Sequence, residues 1–206
     1  MTWAGRGPAY RVVTERLVLR CWQPTDAPLH KAAIDASLEH LRPWMPWAQD
    51  HPQPVEALAA VLRRFRGEFD LDQNYVYGIL SRDETSVLGG TGLHPHLGPD
   101  GVEIGYWIRA DRVRQGLATE TAGALTRVAF EINAMEFVEI HCDARNVASA
   151  GVARKLAYAL AETRVEEGPQ GREATLVWRL LAADYPASPA ACLAAEAYDV
   201  RGERLL

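Results

Sequence analysis

Lysine is nearly missing from this chain: Lys31 and Lys155 stand beside twenty arginines, a bias with no functional reading of its own. Cysteine is scarce as well. Cys21, Cys142 and Cys192 are far apart and form no Cys-x-x-Cys pair, which argues against a disulfide framework or a cysteine zinc site and fits a reducing cytoplasm. The first fourteen residues lack the apolar core of a signal peptide, and no later run approaches membrane-spanning length, so no membrane partner is expected. A positive surplus is absent too. The net charge of −5 argues against nonspecific nucleic-acid binding, which needs a basic surface to displace counterions. What remains is ordinary for a globular protein: 206 residues, 48% apolar and 24% charged, with no composition break, so one buried core is expected.

The informative stretch runs from Glu103 to Glu120 and changes period midway. Ile104, Tyr106 and Ile108 alternate with Glu103, Gly105 and Trp107, the spacing of a half-buried strand. From Gly116 on, Ala118, Ala122, Leu125, Ala129 and Ile132 recur at steps of four and three, which predicts a helix. The turn between them, Arg112 to Gly116, places unpaired amides and the positive end of a helix dipole at one point, a natural anion site. Two familiar phosphate signatures are absent. A P-loop needs Gly-Lys-Ser/Thr, but Leu117 and Ala118 follow Gly116; the only dinucleotide candidate, Gly90-Thr91-Gly92-Leu93-His94-Pro95, ends in proline and continues as strand.

At these residues the sequence resembles the GCN5-related N-acetyltransferases (GNAT), in particular the RimJ/RimL-like subgroup, whose pyrophosphate turn reads Gln/Arg-x-x-Gly-x-Gly/Ala. The matching residues here are Val113 to Ala118, with Val113 in place of Gln or Arg and Arg114 where the subgroup usually has glycine. A second segment is similar to the family's Asn-x-x-Ser/Ala helix: Asn146, Ser149, Leu156 and Tyr158 match, while Ala153 replaces the tyrosine often used as acid and Ala157 replaces a glycine. Read without the resemblance, that segment is only an asparagine-capped helix.

Periodicity along the rest of the chain gives a strand over Glu15 to Trp22 and helices over Ala27 to Leu41 and Val55 to Phe69. Strands follow over Tyr75 to Ser81, Val87 to His94 and Val102 to Arg109, then the helix from Gly116 to Ile132 and a strand over Phe137 to Asp143. After the asparagine-capped helix come strands over Leu160 to Val165 and Thr175 to Leu181. This is the family's order. The resemblance therefore implies an α/β (α+β) GNAT fold, a mixed, mostly antiparallel sheet of about seven strands flanked by about four helices and splayed between the fourth and fifth strands. One acetyltransferase domain is expected over 1–182, with a tail over 183–206 that carries a short helix holding Leu193 and Tyr198 and packs either on the domain or on a second copy in a homodimer.

For the chemistry, the resemblance implies acetyl-CoA as cosubstrate and no metal; His94 and His96 have the spacing of a metal pair without a third ligand. Cofactor contacts are expected from Tyr106, Trp107 and Ile108 on the strand, from Arg112, Val113, Arg114, Gln115, Gly116, Leu117, Ala118 and Thr119 on the turn, and from Asn146. Ser149 is the candidate donor to the leaving sulfur, and Glu103 the candidate base if it faces the cleft; otherwise each is a surface polar residue. Trp44 and Trp47, in the Pro43-Trp44-Met45-Pro46-Trp47 loop, form either a loop folded on the core or an aromatic wall for the substrate. An α-amine of pKa about 7.8 is neutral far more often at neutral pH than a lysine at about 10.4, so an N-terminal α-amine is the easier acceptor without a strong base. A small-molecule amine and a non-catalytic acyl-CoA-binding module stand as alternatives.

Overall fold

Leu17, Leu19 and Cys21 are buried on one face of a strand, while Val18 and Trp22 are buried on the other, so this strand has apolar packing on both sides. Its alternation is that of an interior strand covered twice. The computed structural model, which describes residues 7–168 and 171–206, places it inside a nine-stranded sheet of order β7-β8-β6-β5-β4-β3-β2-β1-β9. The strands are β1 (Arg11–Thr14), β2 (Leu17–Cys21), β3 (Tyr75–Ser81), β4 (Val87–His94), β5 (Gly101–Ile108), β6 (Phe137–Asp143), β7 (Ala159–Gly168), β8 (Gly171–Leu181) and β9 (Ala195–Tyr198).

Two strands exceed the expected seven. The four-residue β1 is too short to show a period, yet it pairs with β2 through Arg11↔Arg20 to Val13↔Val18. β9 replaces the expected tail helix: Pro189 opens only a 3-10 turn over Pro189–Cys192, and Ala195–Tyr198 then completes the outer edge of β1, with Ala197 opposite Val12. Long-range pairing outweighs a local helical pattern here, because β1 would otherwise leave a row of backbone groups unpaired. The tail thus packs on its own domain, and Arg127 Nη1 donates to Leu193 O at 2.6 Å.

One face is covered by α1 (Ala27–Asp35) and α3 (Val55–Asp70), which bury Ala33, Leu58 and Leu62 against Val18, Trp22, Leu80 and Val87. Each buried leucine contributes about 1.5–3 kcal/mol relative to exposure. The expected single helix over Ala27 to Leu41 is split into α1 and a short α2 (Leu38–Leu41) at Ser37. The Ser37 hydroxyl donates back to Ala33 O at 2.7 Å and accepts the Ala110 N–H at 3.0 Å, tying the break to the end of β5. The opposite face carries α4 (Leu117–Arg127), prolonged by a wider π turn over Val128–Ile132, and α5 (Val147–Lys155).

The feature that positions the site is a break in pairing. β5 and β6 run parallel and share only Gly101↔Phe137, Val102↔Val138 and Glu103↔Glu139. Beyond Glu103 the strands part, while β5 continues to Ile108 and β6 to Asp143.

Candidate active site

The splay opens into a cavity of about 1490 Å³ that extends from the start of α4 to the loop carrying Trp44 and Trp47. At the α4 end, Gly116 sits at φ +81° as the residue before the helix, a left-handed conformation glycine adopts without strain. The amides of Leu117, Ala118 and Thr119 follow with no partner inside the helix, at the positive end of its dipole. Arg114 is also left-handed, at φ +62°, which accounts for glycine at this point in the related pattern. Arg112, Val113, Arg114, Gly116, Leu117, Ala118 and Thr119 all line the cavity; Gln115 does not. Its carbonyl instead accepts Arg16 Nη1 at 2.9 Å, and Arg16 also bonds Glu120 of α4 through Nε at 2.7 Å and Nη2 at 2.6 Å. Thr14 adds a hydroxyl bond to Glu120 at 2.6 Å. Arg16 thereby fixes the turn from a hairpin 99 positions away, a contact with no signal in the local sequence. Free helix-start amides with two adjacent guanidinium groups suit a diphosphate, so the donor set fits coenzyme A.

Along β5, the Arg109 N–H donates to Leu88 O on β4 at 2.8 Å. Strand alternation then turns the backbone groups of Tyr106 and Ile108 towards the unpaired β6 side, where an extended ligand arm can take the place of a strand. Trp107 differs from its neighbours: its backbone faces Gly90 of β4, and its indole lies over Gly90, where a Cβ would come within 2.5 Å of Nε1.

On α5, the Asn146 side-chain oxygen accepts the Ser149 N–H at 3.1 Å, the cap expected from sequence. The Ser149 hydroxyl is 2.9 Å from the Tyr106 hydroxyl. Burial holds the Tyr106 phenol well above its ordinary pKa, partly opposed by the Ser149 bond, so it stays protonated and can donate to Ser149 Oγ, leaving the serine proton to point elsewhere. Ala153 is fully buried. The phenol beside Ser149 therefore comes from β5, which the α5 sequence could not reveal.

Glu103 faces the cavity with its side chain 19% exposed, and its Oε2 meets His96 Nε2 at 3.1 Å and His141 Nδ1 at 3.2 Å. His141 Nε2 is 2.5 Å from Oε2 of Glu139, whose Oε1 is held by Arg179 Nε at 2.7 Å. Glu139 is 1% exposed; burial would raise its pKa, but hydrogen bonds from His141 and Arg179 outweigh that and bring it below the ordinary carboxylate value. The sequence did carry a trace of this: Glu139 and His141 are two apart on one strand, so they share a face. His94 lies over Gly92 and Gly105, where Cβ atoms would come within 2.6 and 3.1 Å of its ring, and burial lowers its pKa. The glycines that failed as a nucleotide motif are thus the floor on which Trp107 and His94 lie. Among the described residues no group of three or more His, Cys, Asp or Glu is placed to hold a metal.

The far wall is aromatic. Trp47 meets Trp107 edge-on with centroids 5.9 Å apart and His51 at 5.6 Å, and Trp44 lines the same space. His30 lies behind, 4.7 Å from Trp22, with Nδ1 buried and without a partner among the described residues. Its pKa is lowered to about 4, chiefly by burial and then by the charge of His51.

Comparison with known proteins agrees with this geometry. The family profile described as an acetyltransferase (GNAT) domain matches residues 16–158. No curated protein sequence gives a significant match. Among solved structures, a probable GNAT-family acetyltransferase from Chromobacterium violaceum is 25% identical, covering 90% of this chain and 92% of its own, with a TM-score of 0.68. RimL, a ribosomal L7/L12 α-N-protein acetyltransferase in complex with coenzyme A, is 17% identical with a TM-score of 0.73, covering 82% and 96%. The microcin C7 self-immunity acetyltransferase MccE, in complex with acetyl-CoA and AMP, is 13% identical with a TM-score of 0.73, covering 82% and 93%. With a parted sheet that admits an extended arm, an anion-binding helix start beside it and a family match over residues 16–158, the chain belongs to the GNAT family of acetyl-CoA-dependent N-acetyltransferases.

Proposed function

We propose that this enzyme acetylates the α-amine of a protein or peptide N-terminus. The observation that carries the reading is the setting of Glu103: a carboxylate open to the cavity, flanked by two imidazoles and by no guanidinium or ammonium group among the described residues. Carboxylates as a class are weak bases, which suits an amine that is already partly neutral near pH 7. The coenzyme's diphosphate is held by the amides of Leu117 to Thr119 with Arg112 and Arg114, and its arm lies along Tyr106 and Ile108. One of these strand amides polarises the thioester oxygen, where negative charge grows during attack. Ser149, backed by Tyr106, donates to the departing sulfur. Trp44 and Trp47 border the acceptor, and the names of the RimL neighbour and of the ribosomal-protein-S5-alanine acetyltransferase from Vibrio fischeri support a protein N-terminus as acceptor.

The test is thiol release from acetyl-CoA with short peptides bearing small first residues, run beside polyamines and aminoglycosides. Turnover with peptides is expected, and saturation by a small amine with none by any peptide would overturn the reading. A small-molecule acceptor is the second reading, favoured by the aromatic corner where Trp47 meets Trp107 and by the AMP bound in the MccE neighbour.

A further inference from the structure

His94 ends β4 directly opposite Glu103, with Gly92 opposite Gly105 and Gly90 opposite Trp107, so His94, Glu103 and Trp107 share one face of the sheet. The missing side chains of Gly92 and Gly105 let the His94 ring lie on the backbone. Nε2 is the ring atom nearest to where a Cβ of Gly105 would stand, at 3.1 Å, which sets it beside the Gly105–Tyr106 peptide, where β5 parts from β6. The ring lines the cavity, and Nε2 has no hydrogen-bond partner among the described residues.

The other nitrogen fixes the tautomer. His94 Nδ1 is 2.8 Å from Asn74 Oδ1, and Asn74 Nδ2 donates to Glu68 Oε2 on α3 at 3.3 Å. The Glu68 carboxylate only accepts, so it sets which way the amide points; the amide oxygen only accepts, so Nδ1 carries the hydrogen and Nε2 is left bare. Burial lowers the pKa of the ring, with Glu103 opposing the shift and His96 adding to it, so the imidazole is uncharged at neutral pH.

We propose that His94 is a further catalytic residue, whose Nε2 takes the proton that the amine sheds as it bonds to the acetyl carbon, with Asn74 and Glu68 as positioning residues. The proposal rests on the amine-acetyltransferase reading and gives Glu103 and His94 separate tasks. An incoming ammonium must lose one proton before it is a nucleophile, and the carboxylate of Glu103 suits that step. Attack then uses the nitrogen lone pair to form the C–N bond and moves the carbonyl π pair onto oxygen, beside the strand amide. The nitrogen is now positive and holds one proton too many. That proton passes to the lone pair of His94 Nε2, and the electrons of the broken N–H bond stay on nitrogen. As the carbonyl re-forms, the C–S bond breaks, and sulfur leaves with its electron pair and takes a proton from Ser149. The imidazolium and Ser149 then exchange protons with solvent. A base of lowered pKa suffices here, because nitrogen in the tetrahedral intermediate is far more acidic than a free ammonium.

Nitrogen-15 NMR of the imidazoles in the unliganded protein should show His94 uncharged at neutral pH with its hydrogen on Nδ1, and Asn74→Ala should erase that tautomer preference. In thiol-release kinetics, His94→Ala should lower kcat by about 100-fold or more, the general-base range, while coenzyme A binds within about twofold of the parent protein. Added imidazole should restore part of the turnover by entering the space over Gly92 and Gly105. An Nε2–H tautomer or an imidazolium at neutral pH in the parent, or a His94→Ala enzyme with the parent's kcat, would overturn the assignment. So would a loss of turnover matched by an equal loss of coenzyme A affinity, the sign of a structural role. The parent spectrum needs no substitution, so it decides even where His94→Ala does not fold. If peptides are not acetylated but another amine is, the substrate reading fails alone, and the same variants are assayed on that amine.

Discussion

Replacing Gly116 by alanine tests the anion-binding turn most directly, because the two consequences can be separated. At φ +81° a side chain costs about 1–2 kcal/mol of backbone strain. The added Cβ itself meets only Arg16 Nη2 at 3.5 Å, an ordinary contact, so strain is the whole stability cost. For a 206-residue chain that is a fall in Tm of roughly 2–8 °C, read by differential scanning calorimetry. The second consequence is local. The methyl would occupy the approach to the helix-start amides, and losing one charge-assisted hydrogen bond to a phosphate costs about 1.5–3 kcal/mol, roughly a tenfold to 150-fold weaker Kd for coenzyme A by titration calorimetry. Gly202 is the matched control, since it has φ +79°, no atom within 4 Å of where a Cβ would stand, and no part in the cavity. Gly202→Ala should lose similar stability and no affinity. A Gly116→Ala protein that is folded and binds coenzyme A as tightly as its parent would refute the placement of the diphosphate.

Two further outcomes follow from the site. Ser149→Ala and Tyr106→Phe should each lower kcat by about tenfold or more with little change in KM for acetyl-CoA, and turnover untouched in Ser149→Ala would reject its role as donor to the sulfur. His30 binds a proton at about pH 4 when folded against 6.5 when unfolded, so the unfolded chain takes up the proton first as pH falls. Stability should therefore decline by ~3 kcal/mol between pH 6.5 and about 4 and then level off for this group. His30→Phe should flatten that decline in urea titrations at successive pH values; an unchanged slope would show that His30 is not the group responsible.

Sequence periodicity located Tyr75–Ser81, Val87–His94 and Phe137–Asp143 with their observed bounds, because each strand carries enough residues for alternation to register. It missed β1 and β9, which have four residues each and exist through pairing, β1 with β2 and β9 with β1, rather than through their own pattern. The break at Ser37 was equally hidden, since the hydroxyl that ends the helix is held by Ala110, remote in sequence.

The sequence by itself determined the order of the longer elements and the small-residue turn at Gly116, because both are local: hydrophobic period and the steric freedom of a residue without Cβ act over a few positions. Only the tertiary structure decided which groups meet across the cleft. Arg16 buttresses the turn at Gln115, Tyr106 supplies a phenol to Ser149, and Glu139 orients His141 towards Glu103. In the first two the partners lie on elements far apart along the chain, and in the last the link from β6 to Glu103 depends on which strands become neighbours. Sheet order and the parting of β5 from β6 set these distances, and they follow from packing the whole chain.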